Sequence, residues 1–267
     1  MTADQVIAVY SETGGATKTA TAVSIAVAAA HAGEDVVLVD GDPRAATTKL
    51  TGAQPKGDGL HLGAILGNPD PQGYAEQLAV HLDPDAGWPK NLRVVPSARS
   101  VANYEKAADD HADVRLRQAL EGINANLVVI DFANRQGGLL TQNGLTAADT
   151  VLYAAKPNED GLDGVAGARE SVKRFLGHRR ALGLPDSLTE AGIVLGCAVR
   201  GAVWTRDALR AVEEFDRTAP GLLLRPFIPD AVIVMESRSA GEYYGKYKKG
   251  RGVMDAYAEI YRKVRKK

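Results

Sequence analysis

The stretch VIAVYSETGGATKTATAVSIA, residues 6–26, contains an apolar run, a Gly-Gly turn, a Lys-Thr pair and an alanine-rich segment in that order. An apolar run without alternation is typical of a strand buried on both faces. The segment that starts at Lys18 predicts a helix, which Gly33 ends. Strand, glycine turn and helix in this order are typical of a loop that binds phosphate groups.

Such a loop needs backbone N–H groups at a helix N-terminus, a lysine for the phosphates and a Ser or Thr for Mg²⁺. The glycine pair 14–15 permits the tight turn, and Lys18 and Thr19 are the required residue types. The strict pattern G-x-x-x-x-G-K-[ST] fails at Glu12 and Thr17, which replace its two glycines. On this stretch alone, an ordinary strand–helix turn remains the alternative.

Two further apolar runs end in carboxylates. DVVLVD (35–40) leads into Gly-Asp-Pro, so that Asp40 and Asp42 point the same way, toward a Mg²⁺ ion and an attacking water. LVVID (127–131) ends in Asp131, which predicts a Mg²⁺ contact through water. The alternative for the first pair is a capping Asp-Pro turn, and many strands end in Asp. The three elements together favour a nucleotide site.

Strand and helix patterns alternate along the chain. Further strands are predicted at 92–96, 150–155, 192–199 and 222–229, and helices at 112–122, 161–182 and 205–216. This alternation predicts an α/β fold with a doubly wound, mainly parallel sheet and helices on both faces. We expect one domain over residues 1–267, in which the Gly- and Pro-rich stretch 51–75 is a surface excursion.

The composition limits the class of protein. The 267 residues, 45% hydrophobic, carry a net charge of −1, but nine basic and two acidic residues give the segment 246–267 a charge of +7. The single cysteine, Cys197, excludes an internal disulfide and is expected to be a small buried apolar residue. No signal-peptide pattern and no apolar run of about 18 residues is present, so we expect a soluble cytoplasmic protein.

These motifs resemble the ParA/MinD family of deviant Walker-type P-loop ATPases, and specifically its ParA partition branch. The family's loop K-G-G-x-G-K-T, its D-x-D-P-Q-x-x-x-T motif and its Walker B region match Gly14, Gly15, Lys18, Thr19, Asp40, Asp42, Pro43, Thr47, Ile130, Asp131, Gly138, Leu140, Thr141, Asn143, Leu145, Ala148 and Asp149. The C-terminal stretch resembles the family at Ile228-Pro229, Glu236 and Tyr244-Gly245-Lys246, so that the likeness covers nearly the whole chain.

The resemblance implies an ATPase that binds Mg-ATP in a homodimer sandwich, binds DNA non-specifically on the nucleoid and distributes plasmids or chromosomes with a ParB-like partner. The loop residues that would hold the nucleotide are Gly14, Gly15, Ala16, Thr17, Lys18, Thr19 and Ala20, and Pro229 would contact the adenine. Thr19, Asp131 and Asp40 would serve Mg²⁺, and the catalytic residues would be Asp42, Lys18 and Asp40.

In the family, a lysine of the loop reaches the ATP of the partner subunit, and the sequence departs from the family at that position. That position is the neutral Thr13, and Thr17 replaces a glycine beside the phosphates. Our hypothesis is that Arg135 or Arg44 supplies the missing trans cation. The alternative for each is a surface arginine paired with a nearby carboxylate.

The basic C-terminal segment, 246–267, suits non-specific DNA binding by phosphate neutralisation. The candidate DNA-binding residues are Arg238, Lys246, Lys248, Lys249, Arg251, Lys263 and Lys266. A solvated helix end is the alternative, and a basic tail on an anionic membrane is another. The last helix has an apolar stripe through Val253, Met254, Tyr257, Ile260 and Tyr261. In this family the stripe is expected to pack on the domain and not on a membrane.

Three functions are compatible with these residues. The first is a partition ATPase with slow turnover. The second is a nucleotide-binding, hydrolysis-poor adaptor or regulator on DNA, which the altered positions 13 and 17 favour. The third, weaker, is a MinD-like positioner of another cargo, which liposome binding would distinguish.

Overall fold

The computed structural model describes residues 3–106, 111–133, 137–185, 187–197 and 204–265. Within these ranges one sheet is formed by β1 Gln5–Tyr10, β2 Val36–Asp40, β3 Val80–His81, β4 Leu92–Val95, β5 Leu127–Asp131, β6 Thr150–Ala155 and β7 Thr189–Leu195. The strand order is β3-β4-β2-β5-β1-β6-β7, and neighbouring strands are parallel except for β3 and β4. The predicted fold class is confirmed.

Helices cover both faces of this sheet because the strands are apolar on both sides. The helices are α1 Lys18–His31, α2 Ala46–Thr51, α3 Leu62–Leu66, α4 Tyr74–Leu78, α5 Arg115–Ala119, α6 Leu139–Ala147, α7 Glu159–Ala181, α8 Arg206–Thr218, α9 Val232–Ser239 and α10 Arg251–Arg265. Along β1, Ala8 and Tyr10 belong to a core with α6 and α7, whereas Ile7 and Val9 belong to a second core with α1 and α10.

The apolar stripe of α10 packs on the domain, as predicted. Val253, Tyr257, Ile260 and Tyr261 are buried in the core that contains α1. The Tyr257 hydroxyl lies 3.1 Å from the Thr21 hydroxyl of that helix. In the part of the chain that the structure describes, no helix is long and apolar enough to cross a membrane.

Three predictions about the elements are wrong or only partly correct. Residues 222–229 form no strand but only a bridge between Leu223 and Ile193, because the prolines at 226 and 229 lack the N–H that a ladder requires. The stretch 51–75 is not simply a surface excursion, since Leu62 and Ile65 of α3 are buried in the core. The helix predicted at 112–122 is the much shorter α5.

Candidate functional site

The loop from Ser11 to Thr17 lies at the carboxyl edge of the sheet, between the end of β1 and the start of α1. The chain leaves β1 toward β2 on one side and later adds β6 on the other side. In open α/β sheets, ligands bind where the strand order reverses in this way. Gly15 and Thr17 have φ values of 71° and 63°. Glycine adopts this left-handed conformation freely, but it costs a β-branched residue about 1–2 kcal/mol.

The first N–H groups of α1 are open to a ligand. The Thr17 side chain makes no capping hydrogen bond, and the N–H of Thr21 donates to the Thr17 carbonyl at 2.8 Å. Among the described residues, none accepts a hydrogen bond from the N–H groups of Lys18, Thr19 or Ala20. A helix N-terminus with free N–H groups and a positive dipole end binds anions. The cradle therefore fits a phosphate.

Lys18 is buried inside the loop. Its ammonium group donates a hydrogen bond to the Thr13 carbonyl at 2.9 Å, so that it spans the loop from within. Burial lowers the pKa of Lys18 to about 8, although the charges of Asp131 and Asp42 oppose this shift. A lysine with two carboxylates and free N–H groups around it is placed to bind a phosphate group that brings further negative charge.

Asp131 lies behind the loop at the end of β5 and is fully buried. The Thr47 hydroxyl donates to Asp131 Oδ2 at 2.7 Å, while Asp131 Oδ1 is buried with no hydrogen-bond partner. Burial and the charge of Asp40 raise the pKa of Asp131 to about 7, which the hydroxyls of Thr47 and Thr19 and the charge of Lys18 partly offset. An unpartnered carboxylate oxygen beside a hydroxyl fits a hydrated Mg²⁺ ion.

Asp40 is paired in register with Asp131, at the end of β2. Its Oδ1 accepts from the Asp42 N–H at 3.1 Å, and its Oδ2 accepts from the Thr48 N–H and hydroxyl at 2.8 and 2.6 Å. Both oxygens are therefore used to hold the loop that carries Asp42. Burial raises the pKa of Asp40 to about 6, although these hydrogen bonds oppose the shift.

Asp42 faces the cavity in front of the loop. Its carboxylate accepts a hydrogen bond from the Arg44 N–H at 2.8 Å and lies 3.5 Å from the Arg44 guanidinium. The Arg44 side chain is 70% exposed, so this ion pair is weak. The arginine proposed as a trans cation is thus paired with a carboxylate of its own chain.

The cavity has a volume of about 520 Å³. The predicted residues in its wall are Gly15, Ala16, Thr17, Lys18, Thr19, Ala20, Asp42, Arg44, Pro229 and Arg238. Gly14 belongs to the loop but not to this wall, and Asp40 and Asp131 lie behind it. The loop, the Asp42 turn and the segment with Pro229 are brought together, although they are far apart in sequence.

The cavity also contains residues that sequence reasoning missed. Lys156 follows β6, and Gly196 and Cys197 follow β7, so that all three belong to carboxyl ends of strands beside the loop. Their position after predicted strands could have identified them from the sequence, because ligands of open α/β sheets bind at the carboxyl ends of the strands. Cys197, expected to be buried, is exposed with a φ of 52°. It lies beyond the last hydrogen-bonded residue of β7 and therefore outside the core.

The candidate DNA-binding residues lie on two elements. Arg238 is exposed on α9, Lys246, Lys248 and Lys249 precede α10, and Arg251 and Lys263 belong to α10. Lys246 and Lys263 form ion pairs with Glu242 at 2.7 Å and Glu259 at 3.1 Å. Lys248, Lys249 and Arg251 are exposed and make no ion pair with any described residue. Arg135 and Lys266 lie outside the described residues.

Comparisons with known proteins agree with this geometry. A family described as an AAA domain matches residues 4–181. The sporulation initiation inhibitor protein Soj of Bacillus subtilis is 26% identical over 244 residues, which are 89% of each chain. The chromosome-partitioning ATPase Soj of Thermus thermophilus is 32% identical over 184 residues, or 67% of each chain. Apo McdA of Cyanothece superposes with a TM-score of 0.78 over 96% of this chain and 98% of that chain, at 18% identity.

Proposed function

We propose that this chain, which belongs to the ParA/MinD family of P-loop ATPases, hydrolyses ATP in a partition-type cycle. The observation that carries the proposal is the free N-terminus of α1, with Lys18 inside the loop and Asp131 Oδ1 unpartnered behind it. Anion-binding N–H groups and a carboxylate suited to a hydrated cation are the two parts that Mg-ATP requires.

Each residue has a proposed part in the reaction. The N–H groups of residues 14–20 and the Lys18 ammonium hold the phosphates in place. Asp42 orients the attacking water, and Arg44 restrains that carboxylate. Asp40 positions Asp42 by accepting a hydrogen bond from the Asp42 backbone N–H, and not by binding the ligand. Phosphoryl transfer to water is accelerated mainly by such positioning and by stabilisation of charge.

The residues that would hold Mg²⁺ are Thr19, through its hydroxyl, and Asp131, through a water. Mg²⁺ usually retains several waters and binds one or two protein groups together with the phosphates. When bound, it supplies neutralisation of the charge on the phosphate oxygens. Thr47 keeps the Asp131 carboxylate in its orientation by the hydrogen bond to Oδ2.

The partition cycle adds an ATP-dependent homodimer, non-specific DNA and a ParB-like partner. Support for DNA comes from Lys248, Lys249 and Arg251, which are exposed and not paired with described carboxylates. Unpaired surface cations bind DNA phosphates by releasing counterions. We propose that this binding holds the protein on the nucleoid.

A second candidate function is a nucleotide-dependent adaptor on DNA that hardly turns ATP over. Two observations favour it. Thr13 provides no charge at the family's loop-lysine position, and Thr17 imposes a strained left-handed backbone where the family has glycine. Under this alternative the site binds Mg-ATP but lacks part of the charge that stabilises the transition state.

Calorimetric titration with ATP, in the presence and absence of Mg²⁺, tests the shared part of both functions. The proposal predicts binding that depends on Mg²⁺ and is lost in Lys18→Ala. A melting temperature close to that of the wild type would show that the variant is folded. Equal binding by wild type and Lys18→Ala would contradict the proposed site. Turnover then separates the ATPase from the adaptor.

A further inference from the structure

Five cationic side chains among the described residues line the cavity, namely Lys18, Arg44, Lys49, Lys156 and Arg238. Protein groups hold three of them. Lys18 donates to the Thr13 carbonyl, and Lys49 donates to the Arg44 carbonyl at 2.7 Å. Arg44 is paired with Asp42. Lys156 and Arg238 make no side-chain hydrogen bond or ion pair with any described residue.

Lys156 leaves the sheet beside the loop. It follows Ala155, the last residue of β6, which lies between β1 and β7. The register pairs Tyr10 with Tyr153 and Ala155 with Leu195. The chain after β6 is therefore flanked by the loop on one side and by the residues after β7 on the other. Lys156 is half-buried, whereas Arg238 is exposed on α9.

The neighbourhood of Cys197 supports this position. Partial burial and Asp230 raise the pKa of the thiol, and the Lys156 charge opposes the shift. Lys156 and Cys197 both line the cavity. Asp230, which also lines it, forms no ion pair with Lys156. The lysine keeps its charge available to a ligand.

The neutral Thr13 cannot supply a positive charge to a phosphate, and its side chain has another role. Its hydroxyl donates to the Asp160 carbonyl of α7 at 2.8 Å. The side chain packs on Gly164 of the same helix, where a Cβ would lie 2.1 Å from Thr13 Oγ1. Position 13 therefore attaches the loop to α7. A second cation for the phosphates has to come from another position.

We propose that Lys156 is a phosphate-binding residue of the nucleotide site, which supplies from the end of β6 the charge that position 13 lacks. The inference depends on the proposed nucleotide function. The ligand group is a nucleotide phosphate, bound either to the same subunit or to a second copy of the chain. A lysine in a cavity wall binds such a phosphate as a point charge with three donors.

Binding of a non-hydrolysable ATP analogue with Mg²⁺ tests the inference. Lys156→Met removes the charge but keeps much of the length, and Lys156→Arg keeps the charge. The control is Lys173→Met, at an exposed position of α7. We expect Lys156→Met to weaken binding about tenfold to a hundredfold, as for the loss of a charged hydrogen bond. Lys156→Arg should stay within about threefold of wild type, and Lys173→Met should have no effect.

Sedimentation with the same analogue measures whether the analogue induces a dimer. Together with the affinity, it distinguishes a phosphate bound to the same subunit from one bound to a second copy of the chain. Weaker binding at protein concentrations where the chain is monomeric supports contact within one subunit. Unchanged monomer affinity with loss of the analogue-induced dimer supports contact with the other copy. Lys156→Gln provides a second neutral variant if Lys156→Met lowers the melting temperature.

If the neutral variants match the Lys173→Met control in both measurements, while Lys18→Ala loses binding, the inference about Lys156 is overturned and the proposed function stands. If the wild type binds no nucleotide, the proposed function itself is overturned.

Discussion

The Thr17 side chain packs directly on the backbone of Gly196, the residue that follows β7. A Cβ at position 196 would lie 2.4 Å from Thr17 Oγ1 and 2.9 Å from Thr17 Cβ, which is closer than real Cβ contacts. The Thr17 hydroxyl is buried there without a hydrogen-bond partner. The unusual threonine in the loop is therefore accommodated because the residue that follows β7 has no side chain.

This contact predicts a strong coupling between the two positions. Gly196→Ala should lower the free energy of unfolding by about 1–3 kcal/mol, because the new methyl group meets a β-branched side chain on a strained backbone. In a Thr17→Gly background the same change should cost little. The coupling energy is read from urea denaturation of the four proteins of the double-mutant cycle.

Gly177 provides the matched control for this cycle. It lies within α7, and a Cβ at that position would have nothing within 4 Å. Gly177→Ala should therefore stabilise the protein by about 0.5–1 kcal/mol, since alanine is the better helix former. A Gly196→Ala cost that is the same with Thr17 and with glycine at position 17 would show that the contact is not the cause.

Asp131→Asn should stabilise the ligand-free protein at neutral pH while it removes the effect of Mg²⁺ on ATP binding. The carboxylate is fully buried, and burial raises its pKa from 3.8 to about 7. Replacement by an amide of the same shape removes the desolvation cost of the charged form. We expect a gain on the order of 2 kcal/mol at pH 8, which is roughly 5 °C in melting temperature.

The pH dependence of this gain gives a second test. A raised pKa means that the folded protein holds the proton more tightly than the unfolded chain does. The stabilisation from protonated Asp131 is therefore complete below about pH 4 and is lost as the pH rises through about 7. The advantage of Asp131→Asn should be small at pH 5 and larger at pH 8 in scanning calorimetry. An advantage that is constant with pH would argue against a buried charge.

Neutralising Lys248, Lys249 and Arg251 together should weaken ATP-dependent DNA binding and make it less sensitive to salt. Each lost phosphate contact lowers the slope of log affinity against log salt by about 0.9, so that the triple change should lower it by about 2–3. Lys246→Ala and Lys263→Ala should each have a smaller effect, because carboxylates already pair with these lysines. Fluorescence anisotropy of labelled duplex DNA at several salt concentrations measures both quantities. An unchanged slope in the triple variant would place the DNA surface elsewhere.

Much of this architecture is predictable from the sequence, because the local patterns and the fold agree. Buried parallel strands are apolar without interruption, and β1, β2 and β5 all have this character. The residues that follow them then meet at one edge, which is why the sequence alone groups Lys18, Asp42 and Asp131. The secondary-structure predictions are wrong where the local sequence pattern is ambiguous. Glycine and proline between 51 and 75 concealed the helical spacing of Leu62 and Ile65.

Sequence patterns could not predict contacts between elements that are far apart in the chain. The Thr13 hydroxyl is bonded to Asp160, 147 residues away, and no periodicity relates the two. The fit of Thr17 on Gly196 likewise depends on the sheet, which brings the start of α1 next to the end of β7. Asp40 was expected to face Mg²⁺, but its oxygens are used by Asp42 and Thr48, which only the path of the turn reveals.

ATP turnover with and without DNA shows directly whether the altered loop still supports hydrolysis. Wild type is compared with Lys18→Ala, which removes the phosphate-binding lysine, and with Asp42→Ala, which removes the residue that orients water. We expect turnover that rises with DNA in the wild type and falls to background in both variants. A wild type that binds Mg-ATP yet turns it over no faster than either variant, even with its cognate ParB-like protein present, would contradict this expectation.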